Sequence, residues 1–434
     1  MSSSNNLIVN KSKPFLGKLI IPGDKSISHR SIILGSISLG ELTITNFLKS
    51  NDCLNTINAM RELGANITEY KDQILIRGIG LDKIQKPKNM IDAGNSGTLI
   101  RLLTGILSVQ NFTSSITGDE SLNTRPMKRI IEPLTSFGAD INSNNFKAPL
   151  TIMGNKKLLP IKYEQDIASA QVKSCLMLAS LFIEGESKFH EKIVTRDHTE
   201  NLLEHFNYNI IRSNNETIIK GRQSLYAKDI NIGSDISSAA FFIVAALILN
   251  HSEITIPNVN INEYRTGIII VLEKMGANIS IINKRTESNE KLGDLVIKSS
   301  KLKPINIGGE IISSLIDELP ILFIACAVTT GVSKITGIQE LRYKESDRIK
   351  SMEDGLTAIG IKVTSTLDSI EINGGDIIGG KVNSCGDHRI AMSFAIAGLI
   401  SKKSITIVDT KNISTSFPNF IDLMREKGAS IYEL

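Results

Sequence analysis

The sequence predicts an α/β fold of two inside-out domains, each built from three repeated units with buried helices and outer sheets. Three observations support this fold class. A helix-to-strand signature recurs six times, six helical stretches are almost wholly apolar, and a length of 434 residues suggests two or three domains. Helices that are apolar on every side belong in a protein interior rather than on its surface.

The recurring signature is a glycine that closes a helix, an alanine, a polar residue and an isoleucine that opens a strand. Complete copies begin at Gly64, Gly138, Gly276 and Gly428. Gly360 begins a degenerate copy, and Asn207 replaces the glycine in the remaining one. The copies recur about every seventy residues, so each unit should contain a buried helix, a short strand, a more amphipathic helix and further strands.

Each apolar helix should begin with Ser or Asp, which favour the N-cap position. The six predicted starts are Ser26, Ser96, Ser169, Asp235, Asp317 and Asp387. The first helix should follow a strand at residues 18–22 and include an apolar segment at 31–38. The third and fourth units join within residues 223–234, which predicts an N-terminal domain at 23–232 and a C-terminal domain at 233–434.

Composition argues against several functional classes. A net charge of +4 from 49 basic and 45 acidic residues is too balanced for a nucleic-acid or membrane surface. The four cysteines form no CxxC pair and no zinc-spaced cluster with histidine, which predicts a reduced, cytoplasmic protein without a metal site. The first residues lack the apolar core of a signal peptide, and no run of 18 apolar residues predicts a membrane span.

The first polar helix start, at residues 23–30, carries Lys25, Ser26, His29 and Arg30. Ser26 and Arg30 are four residues apart and would share a helix face. Backbone N–H groups, a hydroxyl and two cations at a helix N-terminus suit a phosphate or carboxylate; an ordinary charged turn is the alternative. The segment is not a Walker A loop, because the spaced glycines are missing.

Further candidates lie in the second and third units. Gly97 belongs to a glycine-rich turn that lets a ligand approach the backbone, and Arg125 precedes a proline in a loop. Ser169, Gln171 and Lys173 open the next apolar helix, where they could bind hydroxyls together with an anion. The alternative for Gly97 is a plain tight turn, and the alternative for Arg125 is a solvated arginine.

Ionisable residues cluster again further along the chain. Arg196 lies in the charged segment 195–200, which could also be a surface helix start. Asp317 begins an apolar helix, where a carboxylate is usually only a cap. The segment 340–348 includes the candidates Lys344, Glu345 and Arg348, and it could also form a salt-bridged exposed helix. Arg389 lies at the start of the last predicted buried helix. Charged clusters at nearly every helix start are hard to explain by stability alone.

Together these segments resemble the 5-enolpyruvylshikimate-3-phosphate synthase family, in the form of its class II bacterial members. The resemblance runs from about Lys18 to Pro418 and rests on motifs at residues 23–30, 94–98, 124–127, 169–174, 196–200, 317–320, 342–348 and 386–393. It implies the enolpyruvyl transferase fold, with residues 1–22 packing on the C-terminal domain.

The resemblance also implies the reaction. The enolpyruvyl group of phosphoenolpyruvate moves to the 5-hydroxyl of shikimate 3-phosphate by addition and elimination through a tetrahedral intermediate, and phosphate leaves. This step of the shikimate pathway leads to chorismate and the aromatic amino acids. The chemistry needs a base for the hydroxyl, an acid for the vinyl carbon and cations for the anionic groups. We expect no metal, no other cofactor, no nucleic-acid or membrane partner, and a monomer.

Roles carried over from the family motifs fall into three groups. Shikimate 3-phosphate would be held by Lys25, Ser26, Arg30, Ser169, Gln171, Arg196, Asp317 and Lys344. Phosphoenolpyruvate would be held by Lys25, Gly97, Arg125, Gln171, Arg348 and Arg389. Asp317 is the favoured base toward the 5-hydroxyl, with Glu345 and Lys25 as further proton-transfer candidates.

The chain departs from the family pattern at one position, and two other functions compete. Many family members have a lysine where this chain has Thr415, and Lys411 lies four residues upstream. Enolpyruvyl transfer to UDP-N-acetylglucosamine is disfavoured, because the cysteine-bearing loop and Lys-Asn motif of that sister family are missing. A non-catalytic anion-binding scaffold would explain the buried helices, but not Asp317 and Glu345 beside so many cations.

Overall fold

The computed structural model describes residues 6–155, 157–166, 168–213 and 215–434. They form two compact units. The N-terminal unit comprises the described residues of Gly23–Ile232 together with Thr286–Glu290. The C-terminal unit comprises the described residues up to Pro22, Gly233–Arg285 and Lys291–Leu434. The segment Thr286–Glu290 therefore groups with the N-terminal unit, although its neighbours in the chain belong to the other unit.

The chain begins with two strands of the C-terminal unit and then builds the N-terminal unit. The first two strands are β1 (Leu7–Asn10) and β2 (Leu16–Lys18). The strands of the N-terminal unit are β3 (Leu39–Thr45), β4 (Asn66–Glu69), β5 (Gln73–Ile79), β6 (Ile91–Asp92), β7 (Thr113–Thr117), β8 (Asp140–Asn144), β9 (Lys147–Met153), β10 (Lys162–Gln165), β11 (Glu186–Glu191), β12 (Ile210–Ser213), β13 (Glu216–Lys220) and β14 (Ile230–Asn231). Its helices are α1 (Lys25–Ser36), α2 (Asn51–Glu62), α3 (Gly97–Ser108), α4 (Glu120–Thr124), α5 (Lys128–Ser136), α6 (Ala170–Ser180) and α7 (His198–His205).

The remaining elements follow the same rhythm. The helices are α8 (Ile236–Ile248), α9 (Gly267–Lys274), α10 (Leu319–Ala327), α11 (Arg348–Ala358), α12 (His388–Gly398) and α13 (Phe420–Glu426). The strands are β15 (Glu253–Asn260), β16 (Asn278–Glu287), β17 (Glu290–Lys298), β18 (Asn306–Ile307), β19 (Gly331–Thr336), β20 (Lys362–Ser365), β21 (Ser369–Gly374), β22 (Gly380–Asn383), β23 (Ile405–Val408) and β24 (Ser430–Glu433). Short 3₁₀ helices lie at Leu81–Lys83, Gly309–Ser314, Gln339–Tyr343 and Lys411–Thr415.

The described strands form six four-stranded sheets, one for each predicted repeat. Their strand orders are β14-β3-β5-β4, β6-β7-β9-β8 and β10-β11-β13-β12 in the N-terminal unit, and β2-β15-β17-β16, β18-β19-β21-β20 and β22-β23-β1-β24 in the C-terminal unit. In each order the first two strands run parallel. Strands β1 and β2 thus complete sheets whose other strands come from the second half of the chain.

Three buried helices form the interior of each unit: α1, α3 and α6 in the N-terminal unit, and α8, α10 and α12 in the C-terminal unit. In α8 every residue from Ile236 to Leu247 is buried. Each fully buried Leu, Ile or Phe side chain contributes about 1.5–3 kcal/mol, so burial of these helices is the main stabilising term. The predicted arrangement of buried helices and outer sheets is confirmed. Among the described residues, no helix is long and apolar enough to cross a membrane.

The helix-closing signature is also confirmed. Its six positions have the positive φ angles of left-handed backbone: Gly64 (+94°), Gly138 (+102°), Asn207 (+57°), Gly276 (+93°), Gly360 (+95°) and Gly428 (+90°). Glycine pays no Cβ penalty in this conformation, and asparagine tolerates it better than most residues. The sequence signature therefore marks real helix ends.

Three predicted boundaries were wrong. The strand expected at 18–22 is β2 at Leu16–Lys18, since its pairing with β15 ends just before a register shift in that strand. Helix α1 begins at Lys25 rather than Ser26 and ends at Ser36, because the Asp24 carboxylate accepts a hydrogen bond from the Ile27 N–H (2.9 Å) and caps it. Helix α10 begins at Leu319, so Asp317 lies before the helix.

Candidate active site

Lys25 lies in the first turn of α1, where its Nζ is 2.5 Å from Oδ2 of Asp52. Asp52 is itself buried in the first turn of α2. The Lys25 side chain stays 22% exposed. The structure therefore holds this cation at a helix N-terminus with a fixed carboxylate behind it, which leaves it accessible to a ligand.

Ser26, Arg30 and Arg196 come together in the N-terminal unit. Arg196 Nη1 donates to Ser26 Oγ (3.3 Å), and Arg30 Nη1 donates to the Ser26 carbonyl (3.0 Å). Arg30 is only 2% exposed, and it also donates to Oγ1 of Thr199 (2.8 Å) and Oγ of Ser174 (2.7 Å). The alternative interpretation of segment 23–30 as an ordinary charged turn is wrong, because Arg30 is buried in a hydrogen-bond network.

His29 lies on the same helix and is completely buried. Its Nδ1 is 2.6 Å from Thr56 Oγ1, and its Nε2 is 3.5 Å from Ser96 Oγ. Burial holds the pKa of His29 well below its usual value, and the nearby cations Lys25 and Arg30 lower it further, against the opposing effect of Asp24. His29 is therefore a neutral imidazole at physiological pH.

Gly97 is the first residue of α3, and its missing side chain makes room for Arg125. A Cβ placed on Gly97 would lie 3.0 Å from Nη1 and 3.2 Å from Cζ of Arg125. Arg125 follows the short helix α4 and is 7% exposed. A side chain at this position would make Arg125 shift by a few tenths of an ångström, so the glycine allows a guanidinium to pack closely on a helix N-terminus.

Ser169 and Gln171 lie at the start of α6, and both are already engaged by protein groups. Ser169 Oγ caps the helix by accepting from the Val172 N–H (3.4 Å). The Gln171 amide accepts a hydrogen bond from Arg101 Nη1 and donates one to Thr98 Oγ1 (3.0 Å). The amide therefore links α6 to α3.

In the C-terminal unit, Asp317 does not cap α10. The N-cap residue is Glu318, and no side-chain cap bond forms there. Instead, Asp317 Oδ1 lies 3.0 Å from Lys344 Nζ and 3.8 Å from Arg348 Nη1. Burial lowers the pKa of Lys344, Asp317 raises it and Arg348 lowers it, and the net shift is downward. Asp317 is therefore held beside two cations rather than at the helix cap.

Glu345 and Arg348 extend this cluster. The segment 340–348 is not an exposed helix, because it contains a 3₁₀ helix and then the start of α11, where Arg348 is 1% exposed. Arg348 contacts Oε2 of Glu345 (2.6 Å) and Oδ2 of the fully buried Asp387 (2.7 Å). Burial opposes the charge, but Asp387 and Glu345 outweigh it and raise the pKa of Arg348 above its usual value. Arg348 is therefore a fixed cation.

Arg389 lies in the first turn of α12 and joins the same cluster. Its Nη1 donates to the Asp317 carbonyl (2.8 Å) and is 3.8 Å from Oε1 of Glu318. Asp387 caps α12 by accepting from the Arg389 N–H (2.8 Å). Asp317, Lys344, Glu345, Arg348 and Arg389 are thus all linked by direct contacts.

Thr415 ends the 3₁₀ helix that begins at Lys411. Its hydroxyl donates to the Asn412 carbonyl (2.7 Å), and Lys411 is exposed. Thr415 therefore supplies no charge at the position where many family members have a lysine.

Sequence reasoning missed several residues that support the candidates. They are Asp52 behind Lys25, Arg101 on Gln171, Thr199 and Ser174 on Arg30, and Asp387 on Arg348. Ser174, Thr199 and Asp387 lie inside the family motifs, which could have flagged them, and Arg101 lies three residues after the motif at 94–98. Asp52 carries no local signal, because an acidic residue near a helix start is commonplace. Among the described residues no group of three or more His, Cys, Asp or Glu side chains could hold a metal ion.

A family model decides what this arrangement belongs to. The model described as EPSP synthase (3-phosphoshikimate 1-carboxyvinyltransferase) matches residues 9–424. The chain belongs to the EPSP synthase family. The predicted family, fold class and enzyme class are confirmed, as is the reaction of enolpyruvyl transfer to shikimate 3-phosphate in the shikimate pathway.

Individual relatives agree with this assignment. A 3-phosphoshikimate 1-carboxyvinyltransferase of Legionella pneumophila is 48% identical over 406 residues, which cover 93% of this chain and 94% of that protein. A solved EPSP synthase of Acinetobacter baumannii has a TM-score of 0.88 and 41% identity, and the match covers 99% of this chain and 100% of that one. The enolpyruvyl transferase NikO of Streptomyces tendae has a TM-score of 0.80 at 14% identity over 100% of this chain and 99% of that chain, which shows a shared fold only.

Proposed function

We propose that this chain carries out the EPSP synthase reaction with the residues named from its sequence. The 5-hydroxyl of shikimate 3-phosphate loses its proton to a base and its oxygen bonds to C2 of phosphoenolpyruvate, while the vinyl CH₂ takes up a proton from an acid. The C2–O bond to phosphate then breaks, and loss of a proton from the new methyl group restores the double bond. The observation that carries this proposal is the linked cluster of two carboxylates and three cations around Asp317.

Asp317 is the proposed base toward the 5-hydroxyl. Its carboxylate lies next to Lys344 and Arg348 rather than capping a helix, so its position is not explained by local stability. Glu345 and Lys25 are the other groups proposed to move protons. Glu345 contacts Arg348, and Lys25 contacts Asp52, so both proton carriers have fixed partners.

Shikimate 3-phosphate is proposed to bind a set of hydroxyl, amide and cationic groups: Lys25, Ser26, Arg30, Ser169, Gln171, Arg196, Asp317 and Lys344. The network of Ser26, Arg30 and Arg196 supports the phosphate contact, because two guanidinium groups converge on one helix N-terminus. Arg30 is buried, so its contribution is mainly to hold Ser26 and to place positive charge nearby.

Phosphoenolpyruvate is proposed to bind Lys25, Gly97, Arg125, Gln171, Arg348 and Arg389. Its carboxylate and phosphate together need several cations, which these residues supply. The packing of Arg125 on Gly97, the ion pair of Arg348 with Asp387 and the hydrogen bond from Arg389 Nη1 to the Asp317 carbonyl favour rigid cations over mobile surface charges. Rigid donors need little reorganisation when charge develops.

We also infer a monomer that acts in the cytoplasm without a metal or other cofactor. Three of the four cysteines, Cys53, Cys175 and Cys326, are buried free thiols, which suits a reducing compartment. Sedimentation of the purified chain tests the monomer directly.

Product analysis tests the proposed acceptor. With phosphoenolpyruvate and shikimate 3-phosphate, proton NMR should show two new vinyl signals of an enol ether at the 5-oxygen. With UDP-N-acetylglucosamine in place of shikimate 3-phosphate, no enol ether should form. Transfer to the nucleotide sugar alone would assign the chain to the sister activity.

A further inference from the structure

Lys173 forms a buried triad with Glu191 and Glu200. Its side chain is 1% exposed, and Nζ lies 2.8 Å from Oε2 of Glu191 and 2.6 Å from Oε1 of Glu200. The sequence suggested that Lys173 binds an anion at the start of α6 together with its neighbours. The structure instead directs its ammonium group inward, where it joins α6 to β11 and α7.

The triad fixes both ends of the segment 195–200. Oε1 of Glu191 accepts hydrogen bonds from the Thr195 N–H (3.1 Å) and from the Thr195 hydroxyl (2.5 Å). Glu200 lies at the other end of the segment, in the first turn of α7. Through its two carboxylate partners, the Lys173 ammonium group therefore holds Thr195, which precedes Arg196, and Glu200, which follows Thr199.

The residues held in this way contact the proposed phosphate-binding groups. Arg196 donates to Ser26 Oγ (3.3 Å). Thr199 accepts from Arg30 Nε (2.8 Å), and Ser174, which follows Lys173 in α6, accepts from Arg30 Nη2 (2.7 Å). The triad is thus connected to both arginines through adjacent residues of the chain: Thr195 precedes Arg196, and Thr199 and Ser174, which hold Arg30, are neighbours of Glu200 and Lys173.

Stability alone is a poor explanation of the triad. It buries two carboxylates with one ammonium group, and Oε2 of Glu200 has no hydrogen-bond partner among the described residues. Burial lowers the pKa of Lys173, but Glu200 and Glu191 outweigh it, and the net shift is upward, so the ammonium persists. Well-packed apolar residues often stabilise an interior as much as such an ion cluster does, whereas charged groups can fix a unique geometry.

We propose that Lys173, Glu191 and Glu200 are positioning residues that hold Arg196 and Arg30 in place for the phosphate group of shikimate 3-phosphate. The triad touches no substrate itself and acts through Thr195, Thr199 and Ser174. This inference rests on the proposed function, because it explains how the arginines proposed to bind the phosphate are held in position.

The test measures binding of shikimate 3-phosphate to the full-length Glu200→Gln variant by calorimetry. We expect the Kd to rise about tenfold, since small displacements of oriented charged groups weaken binding by such factors. The KM for phosphoenolpyruvate at saturating shikimate 3-phosphate should stay at the wild-type value. In the combined variant Glu200→Gln with Arg196→Ala, the Kd should rise by less than the product of the two single-variant rises, because the triad acts through Arg196.

Two further variants separate positioning from general destabilisation. Leu178→Ala, a buried change on the same helix, should lower the Tm but leave the Kd for shikimate 3-phosphate unchanged. If Glu200→Gln folds poorly, the neutral variant Lys173→Met with Glu191→Gln and Glu200→Gln removes every charge at similar volume and should show the same weakened binding.

The outcomes are distinct. A wild-type Kd in folded Glu200→Gln, or in the neutral variant, would overturn the positioning role while leaving the proposed function intact. An equal loss of affinity in Leu178→Ala would also overturn it, because any loosening of the unit would then suffice. A wild-type chain that binds no shikimate 3-phosphate would overturn the proposed function, and this inference with it.

Discussion

Gly97→Ala is the substitution whose effect follows most directly from the geometry. The new Cβ would lie 3.0 Å from Nη1 and 3.2 Å from Cζ of Arg125, which is closer than an ordinary van der Waals contact. Because Arg125 is 7% exposed, its guanidinium cannot simply swing into solvent. It must move by a few tenths of an ångström, or the start of α3 must move instead.

The expected magnitude follows from the contact that this shift disturbs. A hydrogen bond to a charged group contributes about 1.5–3 kcal/mol, so a displacement that halves one such bond weakens binding by about 0.75–1.5 kcal/mol, or about four- to twelvefold. The KM for phosphoenolpyruvate should therefore rise about four- to twelvefold, whereas the KM for shikimate 3-phosphate should not change. Overpacking costs about 1–3 kcal/mol, and the Gly-to-Ala change recovers about 0.4–1 kcal/mol, so the Tm should fall only slightly.

Steady-state kinetics with each substrate varied in turn provides the assay. Gly375→Ala is the matched control, because a Cβ there meets no atom within 4 Å and its φ angle is not positive. That control should keep both KM values. An unchanged KM for phosphoenolpyruvate in Gly97→Ala, or an equal rise in both KM values, would refute the reasoning that Arg125 holds this substrate against Gly97.

Three further predictions concern Asp317, Asp387 and His29. Asp317→Asn should lower kcat by about 10²–10⁴-fold with little change in Tm; turnover near the wild-type rate would remove Asp317 from the mechanism. Asp387→Ala leaves the buried Arg348 charge short of a partner and should cost about 3–5 kcal/mol in urea unfolding; a loss below about 1 kcal/mol would contradict the buried pair. Because the folded pKa of His29 is depressed, its contribution to stability is complete above pH 6.5 and is lost as the pH falls. Below pH 6.5 the free energy of unfolding should drop by up to about 1.4 kcal/mol per pH unit, and His29→Gln should flatten this dependence. An identical slope in both proteins would argue against a buried neutral His29.

The repeat could be predicted from the sequence because its signals are local. A glycine that closes a helix, a polar cap and an apolar run each act within a few residues, and Gly64 and Ser96 have the roles assigned to them. The placement of β1 and β2 in sheets of the C-terminal unit is different. It depends on pairing across the length of the chain, and no local pattern of residues encodes such pairing.

In the candidate site, too, local motifs identified residues, whereas contacts between distant residues could not be predicted. The motifs drew attention to Asp317 and Arg348, but not to what these side chains contact. Whether Asp317 caps a helix or pairs with Lys344 depends on where α10 begins, and that start is shifted by one residue because Glu318 takes the N-cap position. Lys173 shows the converse error. A lysine at a helix start looks available to a ligand until its buried carboxylate partners, which are 18 and 27 residues away, are known.

Phosphate release by the purified chain tests whether it transfers the enolpyruvyl group to shikimate 3-phosphate without a metal. The sample contains phosphoenolpyruvate, shikimate 3-phosphate and EDTA, and each substrate is omitted in turn. Phosphate should be released only when both substrates are present, and at a rate that EDTA does not change. Release from phosphoenolpyruvate alone, or no release from a folded chain that still binds both anions, would contradict it.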